Sequence, residues 1–139
     1  MSPSVRTLPA PPAGSRPADS PPADADQPDA ADLCLGGLLT AFSEPLRQLI
    51  VRRLAVEGEV GCGDIELPVT RATGSYHFRI LRQAGWTHTR RIGRERYISL
   101  RSADVEERFP GLLPTLLKAA EADEVRRDAK AAEAAKAAG

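Results

Sequence analysis

Residues 70–85 read TRATGSYHFRILRQAG, and the rest of the chain is best read outward from them. Thr70 is placed as the N-cap of a helix, because its hydroxyl can accept a hydrogen bond from one of the unpaired N–H groups of a first turn. Gly85 is placed as the stop, since glycine tolerates the left-handed backbone that closes helices. Between them Phe78 and Leu81 face inward at helical spacing. Arg71, Thr73, Ser75, Tyr76, Arg79 and Arg82 offer hydroxyl and guanidinium groups on the remaining surface. A helix of this width fits a DNA major groove. Its N-terminus also directs free N–H groups and a positive dipole end at phosphate.

Residues 86–100, WTHTRRIGRERYISL, hold two runs of β-branched and aromatic residues around Gly93-Arg94, which predicts a β-hairpin. Arg90, Arg91, Arg94 and Arg96 flank its turn, where they would lie along the phosphate backbone or in the minor groove. Further on, Leu112, Leu113, Leu116 and Leu117 form a helical apolar stripe whose start is limited by Pro110 and Pro114. Residues 119–139 are rich in Ala, Glu, Lys and Arg with little to bury, a helical extension or a frayed tail.

Upstream, Leu35, Leu38, Leu39 and Phe42 recur at spacings of three and four, which predicts a first helix. Ser43 reads as the N-cap of a second, with Pro45 in its first turn and Leu46, Leu49, Ile50 and Leu54 as its buried stripe up to Gly58. Gly61, Gly63 and Pro68 leave room only for a short helix, placed at residues 64–67. Residues 1–32 hold eight of the twelve prolines with few apolar side chains, and read as a disordered tail. The folded domain is therefore placed at residues 33–118. The expected fold is mainly α, about five helices with a two-stranded β wing.

The chain is neutral overall, yet residues 71–101 hold eight arginines and one glutamate, a net of +7. Such asymmetry points to a polyanion-binding face. Cys34 and Cys62 lack metal-ligand or disulfide-scaffold spacing, which favours a reducing compartment. The longest uncharged, largely apolar run, residues 33–42, is half a membrane span. An Asp-rich stretch precedes it, unlike a signal peptide. The expectation is a cytoplasmic protein with no membrane partner.

Residues 70–85 resemble the recognition-helix signature of ArsR-type (arsenic-repressor-like) regulators, Ser-x-Ser-Thr-x-Ser-His-His-Leu followed by Leu-x-x-Ala-Gly. Phe42-Ser43-Glu44-Pro45-Leu46-Arg47 is similar to the family's Asp-Pro-x-Arg start of the second helix, and residues 90–94 resemble its wing turn. The likeness covers roughly residues 35–118. It implies a winged helix-turn-helix homodimer that binds double-stranded operator DNA as a repressor and is released by a signal. It also implies a dimer interface of the first and last helices, which suits Leu35, Leu38, Leu39, Phe42, Leu112, Leu113, Leu116 and Leu117. In this setting Thr70, Arg71, Thr73, Ser75, Tyr76 and Arg79 would contact DNA from the reading helix, and Arg90, Arg91, Arg94 and Arg96 from the wing.

Departures from the family pattern bear on the signal. Gly74 stands where the family carries an aliphatic core residue, and Tyr76 replaces the first His of the pair. Metal sensors of this kind place Cys-x-Cys before the short third helix; here glycines 61 and 63 occupy both positions around Cys62. Residues 103–139 contain neither the His nor the Cys of the last-helix site. No metal or other cofactor is expected, although a site of Asp and Glu ligands stays open. The effector is likewise open among a small molecule, a metal and a redox signal. His77 is read as a packing or hydrogen-bonding residue and Trp86 as a cap of the core beneath the wing, and the two cysteines as small, partly buried residues rather than a thiol switch. No Ser/His/Asp or Cys/His grouping suggests an enzyme. The competing reading is a winged-helix module that binds protein without specific DNA binding.

Overall fold

The computed structural model describes residues 27–138. A 3-10 turn at Ala30–Asp32 leads into α1 (Leu35–Phe42) and α2 (Pro45–Glu57). A two-residue strand β1 (Val60–Gly61) and a 3-10 turn at Cys62–Asp64 follow, then α3 (Arg71–Ala84). The hairpin β2 (Thr87–Ile92) and β3 (Glu95–Leu100) precedes α4 (Ser102–Arg108) and α5 (Leu112–Ala138). Helices followed by a basic hairpin make this a winged helix-turn-helix fold.

Five helices form as expected, but not the same five. The short helix predicted at residues 64–67 is absent; Pro68 disfavours helical backbone at Leu67, and one 3-10 turn at Cys62–Asp64 takes its place. The fifth helix is instead α4, parted from α5 at residues 109–111 by Pro110 and by Gly111 at φ 85. Pro114 sits in the first turn of α5, where its missing N–H costs nothing. The wing has three strands rather than two, in the order β1-β3-β2, because Val60 and Gly61 pair with Ile98 and Tyr97. Glu44, not Ser43, caps α2: its carboxylate accepts from the N–H groups of Leu46 and Arg47 at 2.6 and 3.2 Å. Ser43 donates its hydroxyl to Thr40 O instead.

The core gathers Leu38, Ile50, Val51, Leu54, Leu81, Trp86, Ile98 and Val105, all essentially inaccessible to water. Trp86 lies at its centre. It packs against Phe42 with ring centroids 5.5 Å apart, and its Nε1–H donates to Leu38 O at 2.8 Å.

Of the tail expected at residues 1–32, residues 1–26 lie outside the described residues. Residues 27–32, by contrast, pack against the domain. The Gln27 carboxamide bonds the backbone of Thr89 in both senses, accepting its N–H at 2.5 Å and donating to its carbonyl at 3.4 Å. Arg101 donates to Pro28 O and Arg108 to Leu33 O. Leu33, fully buried, lies against Gly85.

The proposed dimer stripe divides. Leu38, Phe42 and Leu113 are 0%, 5% and 7% exposed, and fill the protomer's own core. Leu35 and Leu39 are exposed, while Leu112, Leu116 and Leu117 are half-buried. The helical repeat carries both sets on one stripe, and packing of α1 against the domain uses up the inner edge. At its C-terminal end α5 runs unbroken to Ala138, and Arg52 of α2 forms an ion pair with Glu124 of α5.

Candidate nucleic-acid interface

Helix α3 begins and ends where its residues dictate. Thr70 Oγ1 accepts from Thr73 N–H at 3.2 Å and donates to Thr73 Oγ1 at 3.0 Å. Gly85 takes φ 99, with Trp86 N–H bonded to Leu81 O and Gly85 N–H to Arg82 O, a glycine-terminated Schellman turn. Thr70, Arg71, Thr73, Ser75, Tyr76 and Arg79 are all exposed on α3 or its cap. The Arg79 guanidinium lies over the Tyr76 ring, 5.5 Å from its centre, so these two side chains form one surface feature. Arg82 departs from expectation: it is 7% exposed and belongs to the inner side of the helix.

Besides its buried Leu81, α3 is held by Arg47, a contribution that sequence reasoning missed. Its Nε donates to Ala41 O at 2.6 Å, and its Nη1 donates to His77 Nδ1 at 3.0 Å. Arginine only donates, so His77 Nδ1 is the acceptor in this contact. One guanidinium thus ties the end of α1 to the middle of α3. The signal was present in the Glu44-Pro45-Leu46-Arg47 motif, which looked only like the beginning of a helix. His77 is the buried packing residue expected of it.

The wing closes through Gly93 at φ 63, the one positive φ of a two-residue turn between Ile92 and Glu95, as glycine at the first central position allows. Arg90, Arg91, Arg94 and Arg96 are all exposed. Strand alternation separates them: Arg91 and Arg96 are directly paired and share a face with Thr89 and Ile98, while Arg90 points to the opposite face. There Arg90 forms a two-pronged ion pair with Glu59, at 2.6 and 2.8 Å, and its guanidinium lies 5.8 Å from the Tyr97 ring centre. Arg90, expected on phosphate, is already engaged. Its hydrogen bond holds the Glu59 carboxyl below its ordinary range and pushes the Arg90 guanidinium higher. Since the Glu59 pKa is lowered on folding, the pair contributes above the ordinary carboxyl pKa and is lost as pH falls below it.

Glu59→Gln should free Arg90 for the polyanion. The expected result is tighter binding to random-sequence duplex and a salt slope steeper by up to about 0.9, read by fluorescence anisotropy across a salt series. Unchanged slope and affinity would place Arg90 away from the nucleic acid.

Burial pushes the Cys62 thiol up, against the opposing pull of Arg96 and Arg82. A protonated thiol is a weak nucleophile. Among the described residues no group of three or more His, Cys, Asp or Glu is placed to hold a metal ion. Among them, too, no helix is long and apolar enough to cross a membrane.

No protein-family model matches the chain. An uncharacterized HTH-type transcriptional regulator, YceK, of Bacillus subtilis (strain 168) is 40% identical over 82 residues, spanning 57% of this chain and 82% of that protein. Among solved structures, an ArsR family transcriptional regulator has 20% identity and a TM-score of 0.47, covering 66% of this chain and 87% of its own. A "Possible transcriptional regulator for arsenical resistance" has 27% identity and a TM-score of 0.47, covering 68% of this chain and 97% of its own.

Proposed function

Because the chain belongs to the helix-turn-helix-type (HTH-type) transcriptional regulators, we propose that it is an ArsR-type operator-binding repressor, working as a cytoplasmic homodimer on double-stranded DNA. The observation that carries this reading is the exposed polar face of α3 beside a wing whose Arg91, Arg94 and Arg96 are exposed, Glu95 being the one acidic residue in the hairpin sequence. In this reading Ser75, Tyr76 and Arg79 meet base edges in the major groove while the wing arginines grip phosphate. Leu35, Leu39, Leu112, Leu116 and Leu117 supply the dimer contact. The protein turns over no substrate and carries no resident metal; its release is by an effector rather than by oxidation of the protonated Cys62.

The test is a titration of promoter DNA against the purified protein at several salt concentrations. Replacing Arg91 and Arg94 with alanine should weaken binding to every sequence. It should also flatten the log–log salt slope by about 0.9 for each phosphate no longer neutralised. If those variants bind as the parent does, the wing is not the anchor. If the parent ignores its own promoter in dilute buffer, the reading falls.

A further inference from the structure

Residues 71–78 form the half of α3 that carries Arg71, Thr73, Ser75 and Tyr76. Within them Gly74 and His77 are buried and Phe78 is half-buried. Gly74 presents no side chain to the domain. The other half of the helix is seated by the fully buried Leu81 and by the Gly85 turn. Apolar contact is non-directional, so Phe78 limits the rotation of the first turns only broadly. A hydrogen bond weakens steeply with angle. His77 makes one: its Nδ1 accepts from Arg47 Nη1 at 3.0 Å.

Arg47 is itself well fixed. Its backbone N–H donates to the Glu44 carboxylate at 3.2 Å, and its Nε donates to Ala41 O, in the last turn of α1, at 2.6 Å. A guanidinium is planar and its donors point in fixed directions. The position of Ala41 O therefore governs where Nη1, and with it His77, can lie. From His77 the contacts run outward. Its ring stands edge-on to Tyr76, with centroids 5.4 Å apart and planes at 67°. The Arg79 guanidinium in turn lies over the Tyr76 ring. A continuous chain of contacts thus leads from the end of α1 to the exposed face of α3.

We propose that Arg47 and His77 are positioning residues for sequence reading. Their contact sets the pose of Tyr76 and Arg79 on α3, and through it the preference of the protein among DNA sequences, without either residue touching a base. The effect on preference rests on the operator-binding reading; the setting of Tyr76 by Arg47 does not.

Three changes in the full chain test this. Arg47→Met keeps the stem and removes the donors, His77→Leu keeps buried volume and removes the acceptor, and His77→Asn returns an acceptor oxygen near the place of Nδ1. Affinities for promoter and scrambled duplexes are measured by competition, well below the thermal midpoint of each variant. Arg47→Met and His77→Leu should each lower the promoter-to-scrambled ratio about tenfold, within the worth of one base contact. Scrambled duplex should be bound within about twofold of the parent, because phosphate contacts supply non-specific binding. The double variant should be no worse than the worse single, since both break one contact, and His77→Asn should recover most of the ratio. In the DNA-free chain, Arg47→Met should shift the NMR resonances of the Tyr76 ring, although the change is made on another helix. If Arg47→Met does not fold, His77→Leu against His77→Asn carries the comparison. A folded Arg47→Met or His77→Leu that keeps the parent's ratio, or weakens both duplexes alike, overturns the proposal. So does a His77→Asn no better than His77→Leu. A parent without preference between the duplexes overturns the operator reading; the setting of Tyr76 then stands if its ring shifts in Arg47→Met and falls if it does not.

Discussion

Trp86→Ala should lower the unfolding free energy by about 3–5 kcal/mol, the cost of emptying a large aromatic site in a packed interior. Two circumstances place it at the upper end. The ring is fully buried against Phe42, and its removal leaves Leu38 O, now bonded at 2.8 Å, without its indole donor. Total stabilities of domains are only about 5–15 kcal/mol, so the variant should melt roughly 10–20 °C lower. Trp86→Phe keeps most of the volume and loses the N–H, and should recover more than half of the loss. A variant that melts with the parent would mean that α1 does not depend on Trp86 for its seat on the domain. DNA affinity measured well below the melting point should change little, because Trp86 is fully buried and presents nothing to a ligand.

The second large effect falls on sequence preference. Ser75→Ala and Tyr76→Ala should each lose about 1–3 kcal/mol on the matched operator, which is the worth of a good base contact. Random-sequence duplex should be bound nearly as before. This behaviour would separate readers from anchors: Arg91→Ala and Arg94→Ala should weaken both kinds of DNA together. Competition assays with matched and scrambled duplexes measure the difference directly. Equal losses on both duplexes would remove these two residues from base recognition and transfer specificity elsewhere on α3.

Which features were legible follows from how locally each is determined. Thr70, Gly85 and Gly93 act within a few residues of themselves, so the limits of α3 and the turn of the wing could be read from the sequence alone. The charge on the helix and wing was equally plain. Some failures are local, the cap of α2 at Glu44 and the helix that Pro68 denies to residues 64–67 among them; the others involve partners distant in sequence. Strand β1 exists because Val60 and Gly61 meet Ile98 and Tyr97, and two residues carry no period that could announce a strand. Arg90 reads as a phosphate contact until Glu59 is found 31 residues away. Arg47 reaches His77 across 30 residues. Leu38 and Phe42 share a stripe with Leu35 and Leu39, and only the packing of α1 decides which edge is spent inside.

The segment just before Leu33 has a practical bearing on how the protein is handled. β2 is an outer strand of its sheet, and Gln27 occupies the amide and carbonyl of Thr89 that would otherwise face outward. Trimming the chain to begin at Leu33, as the proline-rich composition upstream invites, would strip that plug and present bare edge groups to any extended chain nearby. Samples cut there should self-associate and lose yield, whereas samples that start a few residues before Gln27 should stay dispersed. A side-chain amide at the margin of a low-complexity stretch thus does the work usually given to a neighbouring strand.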